Sequence, residues 1–428
     1  MIARWRWLLS QTTKRLWFRA TLFSLAGVLT ALLAIALRDF VPPSLPAKVG
    51  ADSVDKILSI IASSMLAVTT FSLSTMVSAY SAASNGVTPR ATPLVMEDST
   101  TQNALATFIG SFLFSLVGII ALSTGAYGAQ GRVVLFAVTI VMVMLIVYTL
   151  LRWIDHLSKL GRVGETIDRV ETAALAALER RGKWPFLGAA PYPADLKLPA
   201  SAATLLSRDT GYVQHIDVSA LGAVTEQHGL AIYLEVLPGS FLHEGAPLAR
   251  VVWHNDGAGG AEAQVDVETK LLAAITIGLR RTFDQDPRFG LSVLAEIASR
   301  ALSPATNDSG TVIDVIGRGV RCFAQWSKQA PEPLDEDDRC RQVHVRAIAV
   351  EDLFDDFFTL IARDGAGLLE IDIRFMKALQ SLAQIDPALF GEQCRLHARL
   401  LLKRADLALQ LEEDKQRLRA VAGDLPSA

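Results

Sequence analysis

The stretch that decides the fold is Ile57-Leu-Ser-Ile-Ile-Ala-Ser-Ser-Met-Leu-Ala-Val-Thr-Thr-Phe-Ser-Leu-Ser-Thr-Met-Val-Ser-Ala-Tyr-Ser-Ala-Ala83, apolar, free of charge and rich in Ser and Thr. It is longer than the roughly 20 residues a helix needs to cross a hydrocarbon core. Residues 17–37, 104–124 and 133–151 form three further apolar segments, also close to that length. Together they predict a transmembrane domain of four helices over residues 1–152, with spans at about 17–37, 57–83, 104–124 and 133–151.

Working outward from the spans, Arg4, Arg6, Lys14, Arg15 and Arg19 precede or open the first, and Arg152, Lys159, Arg162 and Arg169 follow the last. By the positive-inside rule both termini are cytoplasmic, and in the absence of a small-residue cleavage pattern the first span is a retained anchor. The expected location is the bacterial inner membrane. Lys48 and Lys56 on the first outer loop are accompanied by Asp39, Asp52 and Asp55. The 428-residue chain has a net charge of -3 and a positive mean hydropathy, with the apolar excess ahead of Arg152. Cys322, Cys340 and Cys394 then fall in the cytosol, an odd number without metal-type spacing, which predicts free thiols.

Beyond the fourth span, apolar residues at Ile154, Leu157, Leu160, Val163, Ile167, Val170, Ala174 and Leu178 continue a helical period, predicting a stalk over 153–184 that ends at Trp184-Pro185. A proline-containing linker leads to a small β module, 201–256, of barrel- or sandwich-like type, with strand patterns at 211–218 and 230–237 separated by turn residues. Its passage from Val236 to Val251 is similar to the hairpin of biotinyl- and lipoyl-carrier modules. With no lysine between Lys197 and Lys270, the similarity implies a small β fold and not a carrier. Residues 261–428 read as mostly helical, with helices at 265–282, 287–302, 309–326, 351–363, 368–383 and 389–418 and a strand at 342–350. The fold class is therefore membrane α-helical with a cytoplasmic α+β region.

The passage Arg281-Thr-Phe-Asp-Gln-Asp-Pro-Arg-Phe-Gly-Leu-Ser-Val-Leu-Ala-Glu-Ile-Ala-Ser-Arg-Ala-Leu-Ser-Pro-Ala-Thr-Asn-Asp308 resembles the domain of unknown function 2254 family of predicted bacterial membrane proteins. The passages Ser84-Asn-Gly-Val-Thr-Pro-Arg90, Gly211-Tyr-Val-Gln-His-Ile-Asp217 and Thr107-Phe-Ile-Gly-Ser-Phe112 fit the same resemblance. It implies an architecture and supplies no reaction.

On a helical wheel Ser59, Ser63, Thr70, Ser74 and Ser81 fall within roughly 40° of one line, with Ala67 among them. Leu58, Ile61, Met65, Val68 and Met76 form a lipid-like stripe opposite. One reading is helix packing, in which small residues and hydroxyls meet a neighbouring helix. The other makes the five hydroxyl residues pore-lining, with copies of this helix around an axis. Proton relays and ion-coupled carriers usually place Asp, Glu, His or Lys in their spans, and these spans hold none. Asn85 and Arg90, in the joint between spans two and three, are candidates for the cytoplasmic mouth.

In the loop Ser303-Pro-Ala-Thr-Asn307-Asp308, Asn307 or Asp308 is suited to cap the helix that follows. The competing reading is a polar ligand contact at that helix start, with Arg281, Arg288 and Arg300 as anion partners, although Asp284 and Asp286 can neutralise those arginines. His215, His228, His243 and His254 are spaced by 13, 15 and 11 residues, which matches no compact metal motif. Catalytic signatures are missing, so neither an enzyme nor a cofactor is expected, and basic residues interleaved with acids argue against nucleic acid. The expected protein is a homo-oligomeric channel-like or transport-related one, contacting membrane lipid and an ion or small solute. The alternative is a membrane-anchored sensor or scaffold with a partner-binding cytoplasmic domain.

Overall fold

The computed structural model describes residues 13, 16–36, 53–193, 195–254, 261–331 and 340–426. The basic residues Arg4, Arg6, Lys14 and Arg15, the loop residues Asp39, Lys48 and Asp52, and the side chain of Asn85 lie outside the described part. The chain divides into two compact units, Leu8–Thr166 and a second that runs from Ile167 to Ala428.

The first unit is helical. Its elements are α1 (Leu16–Ala36), α2 (Val54–Gly86), the short α3 (Thr92–Met96), α4 (Ser99–Ser123) and α5 (Gly128–Leu157). Among the described residues three stretches, Val54–Ser84, Thr92–Ser123 and Gln130–Leu157, are long and apolar enough to cross a membrane, and Trp17–Leu33 is a shorter apolar helix. The central position belongs to α4, which packs against α1, α2 and α5. Its small residues explain why. A Cβ on Gly27 of α1 would lie 2.7 Å from the carbonyl oxygen of Gly110, and one on Gly110 would lie 2.9 Å from that of Phe23, so α1 and α4 meet backbone to backbone. One core cluster gathers Leu58, Phe114, Tyr127 and Leu135, and a second gathers Ile61, Met65, Phe108, Ile146 and Trp153. The buried Tyr127 hydroxyl donates to the carbonyl of Ala31 at 2.8 Å, tying the α4–α5 turn to α1.

The helix expected to run unbroken from the fourth span into a stalk is interrupted. After Leu157 the chain turns through Gly161, whose φ of +83° suits glycine, and α6 begins at Val163 and ends at Lys183. A Cβ on Gly161 would approach the Ala79 Cα to 3.3 Å, so this glycine also permits the turn to pack on α2.

The second unit combines α6 with a small mixed β region and a helical remainder. Among the described residues eight strands form two sheets. The first has the order β1 (Ala189–Pro191), β8 (Cys340–Val345), β4 (Leu230–Leu234), β6 (Pro247–Trp253), β2 (Ala203–Leu206). The second has the order β5 (Phe241–Leu242), β3 (Gly211–Ile216), β7 (Ile275–Gly278). Both share one apolar core, with Leu205, Val213, Ile232, Leu248, Ile275 and Val343 among its members. The β region recruits strands from outside 201–256, and among the described residues no pairing closes it into a barrel.

Two local expectations fail here. Between β3 and β4 lies α7 (Val218–His228), capped by the Asp217 carboxylate on the Ala220 amide and stopped by left-handed Gly229. The helix expected over 265–282 ends at Ala274 as α8 (Ala261–Ala274), because Ile275-Thr-Ile277 pairs as β7 with β3.

The helical remainder comprises α9 (Pro287–Ala301), α10 (Ser309–Ser327), α11 (Val350–Phe354), a π-helical turn Asp355–Thr359, α12 (Leu360–Gly365), α13 (Leu369–Ile385), α14 (Pro387–Ala408) and α15 (Glu412–Ala422). The π turn widens one helical turn, and consecutive Phe357 and Phe358 are both fully buried there. They join Phe323, Phe354, Phe375 and Phe390, with ring centroids as close as 4.7 Å. Gly319 makes room for them, since a Cβ there would overlap the Phe357 ring.

Candidate functional site

In α2 the inward and outward faces are the reverse of what a lipid-facing helix requires. Leu58, Ile61, Met65 and Met76 are buried within the unit, so the stripe expected to face lipid instead faces the protein's own core. Ser59, Ser63, Ala67, Thr70, Ser74 and Ser81 are all exposed, flanked by exposed Ile60, Leu66, Phe71, Leu73 and Val77. Exposed large side chains along α5 make the contrast, among them Ile140, Val141, Met144, Leu145, Val147, Tyr148, Leu151 and Ile154. Two of these α2 hydroxyls turn back onto their own helix: Ser63 donates to the Ser59 carbonyl at 3.0 Å and Thr70 to that of Leu66 at 3.0 Å. Such bonds satisfy the donor and leave the oxygen lone pairs outward.

Arg90 is exposed in the turn before α3, where its amide donates to the Thr88 hydroxyl at 3.3 Å. A polar cluster that the sequence reading missed lies nearby in the chain. Asp98 caps α4, accepting from the Thr101 amide at 2.8 Å and from the Thr101 hydroxyl at 2.5 Å, and its carboxylate lies 2.8 Å from His156 Nε2 at the end of α5. Arg19 of α1 reaches the Asn103 side-chain oxygen at 2.8 Å. The first turn of α1 and the adjoining ends of α4 and α5 are thus pinned together. The Asp98-x-x-Thr101 capping pattern was readable, but its pairing with a histidine 58 positions on was not.

The Ser303–Asp308 loop is a helix cap. The Asp308 carboxylate accepts from the Thr311 amide at 3.0 Å and its hydroxyl at 2.5 Å, and these bonds hold the carboxyl below its ordinary range. Asn307 takes a left-handed φ of +47°, and its amide donates to the Ser303 carbonyl at 2.9 Å. Arg281 and Arg288 are engaged elsewhere. They line a cleft of about 420 Å³ together with Arg346, Glu235, Asp352, the turn Leu237-Pro238-Gly239-Ser240 and residues 347–349. None of residues 303–308 borders it.

Each arginine of this cleft is held by carboxylates. Arg281 binds Asp286 in bidentate fashion at 2.7 and 3.0 Å, while Asp286 also caps α9 through the Phe289 amide. Arg288 meets Asp356 at 2.6 Å and Asp352 at 2.8 Å. Arg346 meets Glu235 at 2.8 Å and lies over the Tyr192 ring, whose hydroxyl donates to Glu235. Gly239, with φ of +96°, brings the β4–β5 turn against the Asp286 carboxylate, where any side chain would collide. Burial pushes the Asp286 carboxyl upward, opposed by Arg281. Nearby in charge is Arg181 on α6, 2% exposed, with no hydrogen-bond partner at any guanidinium nitrogen; burial lowers it to about 10, opposed by Asp286.

Among the described residues no group of three or more His, Cys, Asp or Glu side chains is placed to hold a metal ion. His243 contacts the Glu244 carbonyl and His254 contacts Gln342. The three cysteines are free, and burial pushes the Cys322 and Cys394 thiols up to about 12.

An apolar unit whose described residues include three helices long enough to cross a membrane, joined to a helical unit with a small mixed β region, is the architecture of a membrane protein. The chain belongs to the family described as predicted membrane protein, the domain of unknown function 2254 family, whose pattern it matches over residues 13–381. Two mycobacterial relatives, the uncharacterized protein Mb1321c of Mycobacterium bovis and the uncharacterized protein Rv1290c of Mycobacterium tuberculosis, are each 36% identical over 118 residues. That match covers 28% of this chain and 22% of each relative. No solved structure matches the chain.

Proposed function

We propose that the protein is a homo-oligomeric, channel-like membrane protein in which copies of α2 surround an axis and their hydroxyl faces line a polar path for an ion or small solute. The observation that carries this reading is the outward placement of Ser59, Ser63, Thr70, Ser74 and Ser81 on a membrane-length helix whose apolar stripe is turned into its own core. A hydroxyl face toward lipid forgoes helix-packing and solvation partners, whereas small residues let identical helices approach closely. The lone pairs left by the back-bonded hydroxyls supply weak, uncharged ligands of the kind that replace part of a hydration shell. In this reading α1, α2, α4 and α5 all span the inner membrane, both termini are cytoplasmic, Asn85 and Arg90 lie at the cytoplasmic mouth, and the second unit forms a vestibule or gate.

Flux through reconstituted vesicles tests it. A Thr70→Cys variant, in a background with the three native cysteines replaced by serine, is expected to pass a small ion until a methanethiosulfonate reagent reduces flux at least about tenfold. Absence of flux in the unmodified protein, or flux indifferent to the reagent, contradicts the reading.

A further inference from the structure

The cleft between the Leu237–Ser240 turn and Arg346–Asp352 has the makings of a ligand site independent of whether the membrane unit conducts. Its volume of about 420 Å³ lies in the range of small-molecule sites. Its lining combines apolar Leu237, Pro238, Ala347, Ile348 and Ala349 with the arginines at 281, 288 and 346. Arginine suits this use because its planar fork matches phosphate oxygens in bidentate geometry.

The carboxylates that hold these arginines differ in depth. Asp286 is buried, binds Arg281 through both oxygens and accepts from the Phe289 amide, so it belongs to the scaffold. Asp352 is about half exposed, meets Arg288 through one nitrogen only, and leaves the bidentate Asp356 contact in place if it swings away. Glu235 meets Arg346 through one nitrogen, and Arg346 is itself more than half exposed. The Asp352 pair is a solvent-screened contact worth little on its own, and in the Glu235 pair the carboxylate keeps its Tyr192 hydroxyl bond when Arg346 turns to a ligand. Arg181, whose charge acts on the same Asp286, is a buried cation without a hydrogen-bond partner, and Asp286 is already taken by Arg281. The deep positive charge therefore exceeds what the fixed carboxylates bond directly, and the exchangeable ones are at the rim.

We infer that this cleft binds a small phosphate-bearing anion, which displaces Asp352 from Arg288 and Glu235 from Arg346 and packs its organic part against Leu237, Pro238 and Ile348. The two displaced carboxylates give the site a signature that a plain basic patch lacks. Removing an arginine weakens binding, and neutralising a displaced carboxylate strengthens it, while neutralising an equally exposed carboxylate elsewhere in the same unit does neither.

Calorimetric titration of the full-length protein in detergent tests this, with inorganic phosphate, pyrophosphate and adenosine monophosphate as probes and thermal unfolding as the check on folding. Saturable binding of at least one probe is expected. Arg346→Ala, at an exposed position, should weaken it by about tenfold to a hundredfold, the loss expected for one charge-assisted hydrogen-bonding group. Asp352→Asn should tighten it, and Glu268→Gln, which leaves the cleft untouched, should not change it. Tighter binding of the nucleotide than of pyrophosphate points to the apolar lining as part of the site, and the reverse order to a phosphate-only site. No saturation by any probe at millimolar concentration, or equal affinities in folded Arg346→Ala and Asp352→Asn proteins, overturns the inference.

Discussion

At the scale of single residues, the second unit keeps a carboxyl group where water cannot reach it. Asp372 on α13 is fully buried, neither oxygen has a hydrogen-bond partner, and burial, with Glu370 adding to it, pushes its carboxyl up to about 8. The ordinary aspartate value is about 3.9. A folded-state value above the unfolded one means that the group's contribution is fully present below about pH 4 and is lost as pH rises toward 8. Asp372→Asn, which keeps the shape and removes the titration, should therefore raise the thermal midpoint at pH 8 by at least about 4 °C and change it far less at pH 4.5. Equal shifts at the two pH values would show that the carboxyl does not titrate in the folded protein. No neighbouring residue in the sequence announces this burial, because Asp372 follows Glu370 in an acidic first turn that reads as a solvated helix start.

At the scale of elements, glycine decides how closely α1 and α4 approach. The Gly27 and Gly110 contact leaves no space for a Cβ, so Gly27→Val forces the helices apart, and the thermal midpoint in detergent should fall by an amount corresponding to about 1–3 kcal/mol. Gly164→Ala, where nothing lies within 4 Å, should be neutral or slightly stabilising. An unchanged midpoint for Gly27→Val would mean that the two helices are not packed as described. Elements of this kind were legible wherever the period and the boundary residues agreed: the apolar segments, α9 from Pro287 and α10 behind Asp308 all stand in the sequence. Others depended on tertiary partners. Ile275–Gly278 continues a helical pattern and becomes a strand only because β3 lies beside it, and the break between α14 and α15 falls at extended Leu409 and Leu411, with no glycine or proline to mark it. The cleft was half legible. Arg281 and Arg288 were singled out in the sequence, but Glu235 and Arg346 enter through strands β4 and β8, which pair across more than a hundred residues.

At the scale of the whole molecule, the two units carry different chemistry. The membrane unit has an uncharged, outward hydroxyl face on α2, and the second unit has charged groups gathered in a cleft. The hydroxyl pattern was visible as a wheel in the sequence. What the sequence left open was which side of that wheel the protein itself covers, because the answer depends on α4 packing against Leu58, Ile61 and Met65. With the apolar side taken, the remaining face awaits its partner, and the proposal makes that partner another copy of α2. The most direct measurement is disulfide cross-linking in native membranes, using single cysteines at positions 63, 70 and 74 in a background lacking the native three. The account predicts cross-linked species joining two chains at all three positions and none for Met65→Cys, which faces the core. Unlinked chains at positions 63, 70 and 74 would contradict it.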